Sequence, residues 1–533
     1  MTELEHRTPE QEWNAWGTAE GASPVGEEVR TLLEQFLGVV RRDTPSVDRP
    51  DVRVGASQLS DEVRTALAAI VGEDGVRTDD HTRLLHAGGK STPDLLRRRA
   101  GEAESAPDAV VLPASHAQVG ALLALCAERR VAVVPFGGGT SVVGGVEPER
   151  GGFDLVIALD LRLLDELVEV DAESRTATLQ AGLRGPEAEE LLGKHGFTLG
   201  HFPQSFEHAS IGGFAATRSS GQASSGYGRF DDMVQRLRVA TPNGELDLGR
   251  GPGSAAGPDL RQLFLGSEGA LGIITEVTVR VHPKPQEVES EAWSFPDFAT
   301  GAKALRALAQ NEALPTVARL SDEAETMVNL ASAHSVGAGE QSGGCLMITR
   351  YEGNRIAGHA RTSELLAASG GTSLGAEAAE QWSHGRYHGP YLRDALLDVN
   401  AVVETLETAS TWSKLTETCD AVRGALTESL EAQGTPPLVM CHISHVYPTG
   451  ASLYFTVAFA RGEDPRAQWW QAKRAVGDAI VRSGATITHH HAVGTDHRAW
   501  MTDEIGDLGV AVLRAVKSTV DPSGVLNPGK LIP

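Results

Sequence analysis

The sequence predicts an α+β protein in four parts: an N-terminal helical region (1–90), a two-part α/β-textured domain (91–285), a cap built on an antiparallel sheet (286–485) and a C-terminal segment (486–533). Three observations carry this prediction. The stretch VAVVPFGGGTSVVGG (131–145) sets an apolar, β-branched strand directly against three consecutive glycines. Strand and helix patterns alternate on both sides of it. The chain, at 533 residues, is too long for a single compact core.

Residues 1–25 carry WNAWG, with Trp13, Trp16 and Gly17 in a polar context. Val29, Leu32, Leu33, Phe36, Leu37 and Val40 recur at helical spacing and predict one amphipathic helix, whose apolar face joins the core or, as the alternative, meets a membrane or partner surface. PSVDRPD (45–51) reads as a linker, and a second helix follows Ser60 with Val63, Leu67, Ile70 and Val71. DAVVLP (108–113) is a strand. Ser115 and Gln118 form a capping box for a helix bearing Val119, Leu122, Leu123 and Cys126. That helix leads to the strand Val131 to Val134, which Pro135 ends.

Gly137, Gly138 and Gly139 then open a turn without Cβ atoms, whose N–H groups can converge on a diphosphate. Thr140 and Ser141 add hydroxyls. No Gly-Lys-Ser/Thr follows, so this is not a P-loop. Val142 runs into a second glycine pair and not a helix, which fits a G-x-G-x-x-G dinucleotide fingerprint badly. LVIALD (155–160) is another buried strand, LVEV and TATLQA (167–170, 176–181) form a hairpin, and GPEAEELLGKHG (185–196) starts a helix with Pro186 in its first turn.

Residues 200–233 are rich in Gly, Ser and Thr and poor in core formers, yet lie between strand-like segments. A ligand cradle made by backbone suits that setting. VQRLRVATPNGEL (234–246) is strand, turn and strand, and GSEGALGIITEVTVRVHP (266–283) is a third glycine patch entering a long strand. In the cap, 295–313, 410–433 and 465–483 read as helices, while 315–320, 345–353, 438–447 and 451–460 read as strands, with the helices packed on one face of the sheet.

Composition narrows the function. The net charge of −24, from 47 Lys+Arg against 71 Asp+Glu, argues against nucleic acid as a partner. An anionic substrate must therefore be held by a few local arginines. Cys126, Cys345, Cys419 and Cys441 are too scattered for a disulfide framework or a zinc cluster. No apolar run approaches a membrane span and no secretory signal is visible. The expected location is the cytoplasm, with peripheral membrane contact.

PFGGGTS, the GH-x-P-x-S…GG…TR-x-SG stretch and GSEG-x-LGIIT-x-V, in that order, resemble the FAD-binding domain of the vanillyl-alcohol-oxidase flavoprotein family, the PCMH type. VDPSGVLNPGKLIP (520–533) resembles that family's return of the C-terminus onto the FAD domain. WNAWG, THHHAVG (488–494) and the order of strands and helices between them resemble the alkyldihydroxyacetonephosphate synthase branch. The resemblance implies that Pro135, Phe136, Gly137, Gly138, Gly139, Thr140 and Ser141 wrap the FAD pyrophosphate. Pro203, Gln204, Ser205, Ser210, Gly212, Gly213, Thr217, Arg218 and Ser220 would lie beside the flavin, and Glu268, Gly269, Gly272 and Ile274 along the adenine–ribose side. Some relatives attach FAD through a histidine in the glycine loop. Thr140 stands in that region here, so FAD is expected to be non-covalent.

The chemistry candidates lie beyond the FAD domain's glycine patches. A lone arginine is ordinarily a solvated or structural ion pair, but Arg319 and Arg393 match arginines that the branch directs at a phosphate-bearing substrate, and a guanidinium fork suits a phosphate. Tyr454 would be an interior sheet tyrosine, and matches the tyrosine used for proton transfer. His489, His490 and His491, read as a strand, would alternate faces and not readily hold one metal, so no metal site is expected. A histidine facing the flavin could instead take a proton from carbon, His490 being the choice.

The reaction so implied exchanges the acyl chain of acyl-dihydroxyacetone phosphate for a fatty alcohol. Flavin N5 serves as a transient anchor and no net oxidation occurs. The implied partners are a phosphate-bearing lipid and a second copy of the chain. This sequence departs from the branch at Gln204 (aspartate there), Ser210 (threonine), Ala492 (glycine) and Thr495 (lysine). The rival is an FAD-dependent oxidase or dehydrogenase of a D-2-hydroxy acid or other small alcohol. Such enzymes carry H-x-GDGN-x-H, where this chain has HVYPTGASLY (445–454) with Tyr454 in place of the second histidine. A non-enzymatic flavin-binding role is a third reading, which predicts a flavin that no solute reaches.

Overall fold

The computed structural model describes residues 9–332 and 344–533; the first eight residues of the predicted N-terminal region lie outside it. Two sheets build the domain around the glycine patches. In the first, Ala109–Val111, Leu155–Asp160 and Val131–Phe136 run parallel, and Val76–Arg77 adds an antiparallel edge. The helix His116–Arg129 makes the crossover into Val131–Phe136, and Ser115 caps it by accepting the Gln118 N–H. Strands buried on both sides need unbroken apolar runs, which VAVV and LVIAL supply.

The second sheet is antiparallel throughout, in the order Gly244–Leu248, Val234–Thr241, Ile273–Arg280, Thr176–Gln180, Leu167–Asp171. Ala181, Ala240 and Ile273 at its end pack into the same core as Val131, Val133 and Ile157, joining the two sheets. The C-terminus returns to the organising strand. Val133 donates its N–H to Val525 O and accepts from Asn527 N–H, both at 2.8 Å.

The cap is a seven-stranded antiparallel sheet: Thr372–Gly375, Val288–Phe295, Cys345–Glu352, Val317–Ser321, Leu438–Ile443, Gly450–Ala460, Ala401–Thr411. Leu320, Met347, Ile443, Leu453 and Phe455 point to one face and bury Leu305, Val422, Trp469 and Val476 of the covering helices. The single-face expectation holds only in part. Ala379 of the helix Glu377–Gly385 covers Ala292 and Ile348, and Leu396 with Leu33 and Leu37 covers Ala401 and Val403, all on the opposite side. The middle of that second face is left for the site.

Four further expectations change. Residues 401–411 form an unanticipated strand, so the helix expected from 410 begins at Leu415 (Leu415–Glu431). The 45–51 segment is no free linker: Val47 donates to Arg99 O at 3.0 Å, and Thr44 just before it donates to Asp398 O at 2.7 Å. The helix Glu27–Leu37 buries Leu33 and Leu37, while Phe36 and the following Val40 stay 70% and 71% exposed. The three histidines lie in a bend, not a strand.

Candidate active site

The glycine loop is pressed against its neighbours at distances only glycine permits. A Cβ on Gly138 would stand 2.1 Å from His208 O, and one on Gly137 2.3 Å from Ser210 Oγ. Gly139 has φ +65° and would meet the Phe136 ring. Ser210 caps the helix Ile211–Thr217 through the Gly213 N–H at 3.2 Å, and Gly212 donates to Ala181 O at 2.8 Å. Ser141 turns its hydroxyl onto the Gly145 N–H (2.9 Å), and Thr140 stays half-buried beside it. Pro135, at the end of the strand, abuts Gly269, whose φ is +75° and whose Cβ would lie 2.3 Å from Pro135 Cγ.

A strap formed by residues 9–17 crosses this loop. Gln11 Nε2 donates to Gly138 O at 2.7 Å, Lys90 Nζ donates to Ala15 O at 2.7 Å, and Trp16 N–H donates to Asp394 Oδ2 at 2.5 Å. Between strap and loop lies a cavity lined by Gln11, His86, Lys90, Gly138, Arg162 and Arg184. Arg162 there is paired with Asp160 and Glu10, Arg184 donates to His208 O, and burial pushes Lys90 well below the ordinary lysine range. What this wall offers an anion is therefore chiefly the guanidinium of Arg184 beside the glycine turn.

Pro203 is buried and Ser205 half-buried, while Gln204 is exposed and donates to Arg386 O at 2.9 Å. Thr217 spends its hydroxyl on Gly213 O. Arg218 spends its guanidinium on Leu265 O (3.0 Å), Asp231 (3.1 Å) and Gln262 Oε1 (2.9 Å), so it shapes the cradle and offers little to a ligand. Glu268 accepts the Val493 and Gly494 N–H groups at 3.1 and 2.9 Å, and burial pushes it up to about 7. Gly272 packs under Val239, and Ile274 pairs with it in the sheet. The residues present fit FAD. Buried Ser220 Oγ, Ser267 Oγ, His201 Nδ1 and Gln222 Oε1 have no hydrogen-bond partner among the described residues, as donors and acceptors awaiting a polar ligand would.

Alternation along the cap strands sends Arg319, His442, Tyr454 and Glu407 to the face away from the core. His442 and Glu407 both pair directly with Tyr454, giving a row across three strands. The His442 and Tyr454 rings stack at 4.7 Å, and Arg319 Nη2 donates to His442 Nδ1 at 3.0 Å and to Glu325 at 2.7 Å. The histidine bend closes over the row. Tyr454 lies 5.9 Å from the His490 ring and 5.5 Å from that of His491. His489 Nδ1 meets His490 Nδ1 at 2.9 Å, and its Nε2 meets Tyr447 Oη at 2.6 Å. His445, His489 and His490 present ring nitrogens within 4.8 Å of one another.

Burial sets the proton affinities. It pushes His489 and His445 far below the ordinary imidazole range, His491 to about 3, and His490 down as well, with Glu407 pulling His490 and His491 back. These rings are neutral at pH 7 and able to accept a proton. Tyr454 is pushed up to about 12 by burial and keeps its proton. Arg393, on the helix Gly389–Leu397, donates to Asp394 and to Lys90 O, each at 2.7 Å, and its Nη2 is buried with no partner among the described residues. Its charge bears on Tyr454.

The structure thus brings Tyr454, His489, His490 and His491 into one cluster, links Arg319 to it through His442, and sets the charge of Arg393 near Tyr454. Sequence reasoning missed Glu407, His442, His445, Asp394 and the contact of Trp16. Alternation in AVVETLETAST could have revealed the strand bearing Glu407, whereas nothing local marks Asp394 as the partner of a residue so far away.

Two family descriptions match the chain: the FAD binding domain over residues 107–248 and the C-terminal domain of FAD linked oxidases over 284–531. The alkyldihydroxyacetonephosphate synthase of Dictyostelium discoideum is 36% identical, with 96% of this chain and 87% of that protein covered. That of Trypanosoma brucei brucei is 30% identical over 98% and 92%. A solved alkyldihydroxyacetonephosphate synthase structure superposes with a TM-score of 0.84 at 32% identity, covering 98% of this chain and 99% of that one. The chain belongs to the alkyldihydroxyacetonephosphate synthase family of FAD-binding proteins.

Proposed function

We propose that this protein is an FAD-dependent alkyldihydroxyacetonephosphate synthase, replacing the acyl chain of acyl-dihydroxyacetone phosphate with a long-chain alcohol and releasing the fatty acid. The observation that carries the reading is the cluster of Tyr454 with the His490 and His491 rings, close enough to feel the charge of Arg393, whose buried Nη2 has no partner among the described residues. FAD supplies, when bound, an electron-deficient ring that takes up and returns an electron pair with no net oxidation.

The chain's own residues do the rest. Arg393, its Nε and Nη1 already tied down, presents Nη2 to the substrate phosphate, with Arg319 adding charge from the far side of His442. His490 takes the proton from the carbon bearing the ester, its ring held neutral by burial. Tyr454, close to both His490 and His491, relays that proton. The loop 137–141 and the 203–220 segment hold the cofactor by backbone contact. Among the described residues no helix is long and apolar enough to cross a membrane, and the exposed Leu32, Phe36 and Val40 support peripheral attachment to one; a cytoplasmic location is part of the same proposal.

The test is anaerobic incubation with palmitoyl-dihydroxyacetone phosphate and labelled hexadecanol. Fatty acid and ether-linked product should form in equal amounts with no hydrogen peroxide. Oxygen demand with peroxide in proportion, or flavin bleaching by D-lactate, would assign the chain to the oxidases and dehydrogenases instead.

A further inference from the structure

We propose that Glu407 is the positioning residue of the histidine bend and the fixed counter-charge for the imidazolium that forms when the bend accepts the substrate proton. The inference rests on the synthase reading for the identity of that proton, and on geometry for the rest.

Glu407 has a fully buried side chain and still collects four donors. Its Oε2 accepts the His489 N–H at 2.5 Å, and its Oε1 accepts the N–H groups of His490 (3.2 Å) and His491 (2.9 Å) and the Thr488 hydroxyl (2.6 Å). Three successive amides can converge on one carboxylate only because the segment is bent; a strand would send alternate N–H groups to opposite edges. The bend is pinned at both ends as well. Thr486 bridges Ala409 on the same strand as Glu407, and beyond the histidines Ala492 O accepts from His497 Nδ1 at 2.8 Å. Glu407 fixes the middle, where the reacting rings are.

The same carboxylate faces those rings. It lies 3.7 Å from His490 Nδ1 and 3.9 Å from His491 Nδ1. When a substrate C–H bond breaks, its electron pair stays with the substrate and its proton goes to an imidazole in a space where burial opposes positive charge. The four donors keep Glu407 ionised before that step, so the countercharge is present in advance and nothing has to reorganise. Other charged or titratable groups face this carboxylate from every side. Lys473 comes from the helix Pro465–Ser483, His497 follows the bend, and Tyr454 stands on the adjoining strand. Arg229, His201 and His445 face His490; His201 and His445 are themselves held down by burial and by His490, while Arg229 works against protonation of His490. Glu407 is the carboxylate that favours it.

Glu407→Gln and Glu407→Asp, each as FAD-loaded protein, test this. Glu407→Gln should lower kcat by about a hundredfold, the scale of a lost proton-transfer group, with KM for the phosphate substrate within threefold. Imidazole NMR titration should show the His490 and His491 midpoints moving to lower pH, since the attraction holding them up is gone. Amide exchange at residues 489–491 should accelerate. Glu407→Asp, which keeps the charge, should regain at least a tenth of wild-type kcat. Unchanged midpoints, or a kcat within threefold of wild type in Glu407→Gln, would overturn the proposal. So would loss of FAD and solubility in both variants, which would make Glu407 a folding staple only. If wild type itself lacks synthase activity, the functional reading falls, while the midpoints and amide exchange still decide the role of Glu407.

Discussion

Arg393 brings a permanent charge into a nearly closed space and leaves one N–H unspent there. A charge-assisted hydrogen bond to an anion contributes about 1.5–3 kcal/mol. Arg393→Ala should therefore weaken binding of dihydroxyacetone phosphate by roughly 10- to 100-fold, read by calorimetry on FAD-loaded protein, with flavin retained because Arg393 reaches the glycine loop only through the backbone of Lys90. Affinity within twofold of wild type would refute its role. At this scale the sequence showed which residue types could do the chemistry, and resemblance chose among them. Nothing in the spacing separates Arg393 from a surface arginine, because its partner Lys90 O lies hundreds of residues away, as does the Trp16 N–H that holds the adjacent Asp394. Glu407 was hidden for a related reason: a glutamate in a strand reads as solvated until the amides it serves are seen, some eighty positions later.

The glycine loop is the element on which cofactor binding turns. A methyl group at Gly138 would strike a backbone carbonyl, His208 O, which cannot swing aside as a side chain could. Gly138→Ala should purify with little FAD, its absorbance near 450 nm largely lost, and overpacking should cost about 1–3 kcal/mol of stability. Full flavin occupancy in that variant would show the loop to be roomier than described. Wild type should release all its flavin on acid precipitation, Thr140 offering no nitrogen for a covalent link. Elements with unbroken β-branched runs, such as Val131–Phe136 and Leu155–Asp160, were legible because two-sided burial leaves that mark. Ala401–Thr411 was not. Its two glutamates look like a helix surface, though one of them is the buried Glu407 and the other, Glu404, is buried against Thr92 N–H. The three histidines failed as a strand because a carboxylate outcompetes a neighbouring strand for their amides.

The whole molecule presents a lipid chemist's problem: substrates that live in a membrane, and a protein with no described helix able to cross one. Phe36 and Val40 are the most exposed of the apolar side chains, Leu32 among them, left over once Leu33 and Leu37 have docked on the cap. Phe36→Ser with Val40→Ser should leave activity on short-chain, soluble substrates intact and abolish flotation with phospholipid vesicles; flotation equal to wild type would place the contact elsewhere. The order of the glycine patches was readable from the sequence, whereas the helix face read mainly as core, with a membrane or partner surface as the alternative. Periodicity counts apolar positions and cannot say how many the neighbour will cover.

Residues 9–17 are made early and fastened late. Trp16 waits for Asp394, a separation of 378 positions, and Gln11 reaches Gly138 across 127. Closing so long a span costs little more in entropy than closing a short one, but it is slow to be found by diffusion. The contacts of the strap to Lys90, Gly138 and Arg162 need no cap, so only the Trp16–Asp394 fastening waits for it, and until then the strap is held over the glycine turn at fewer points. Once the strap seats, the same nine residues stitch loop, first sheet and cap together, and the cofactor's exit requires undoing contacts in all three. Flavin captured on this schedule would be released on the timescale of partial unfolding and not of simple dissociation.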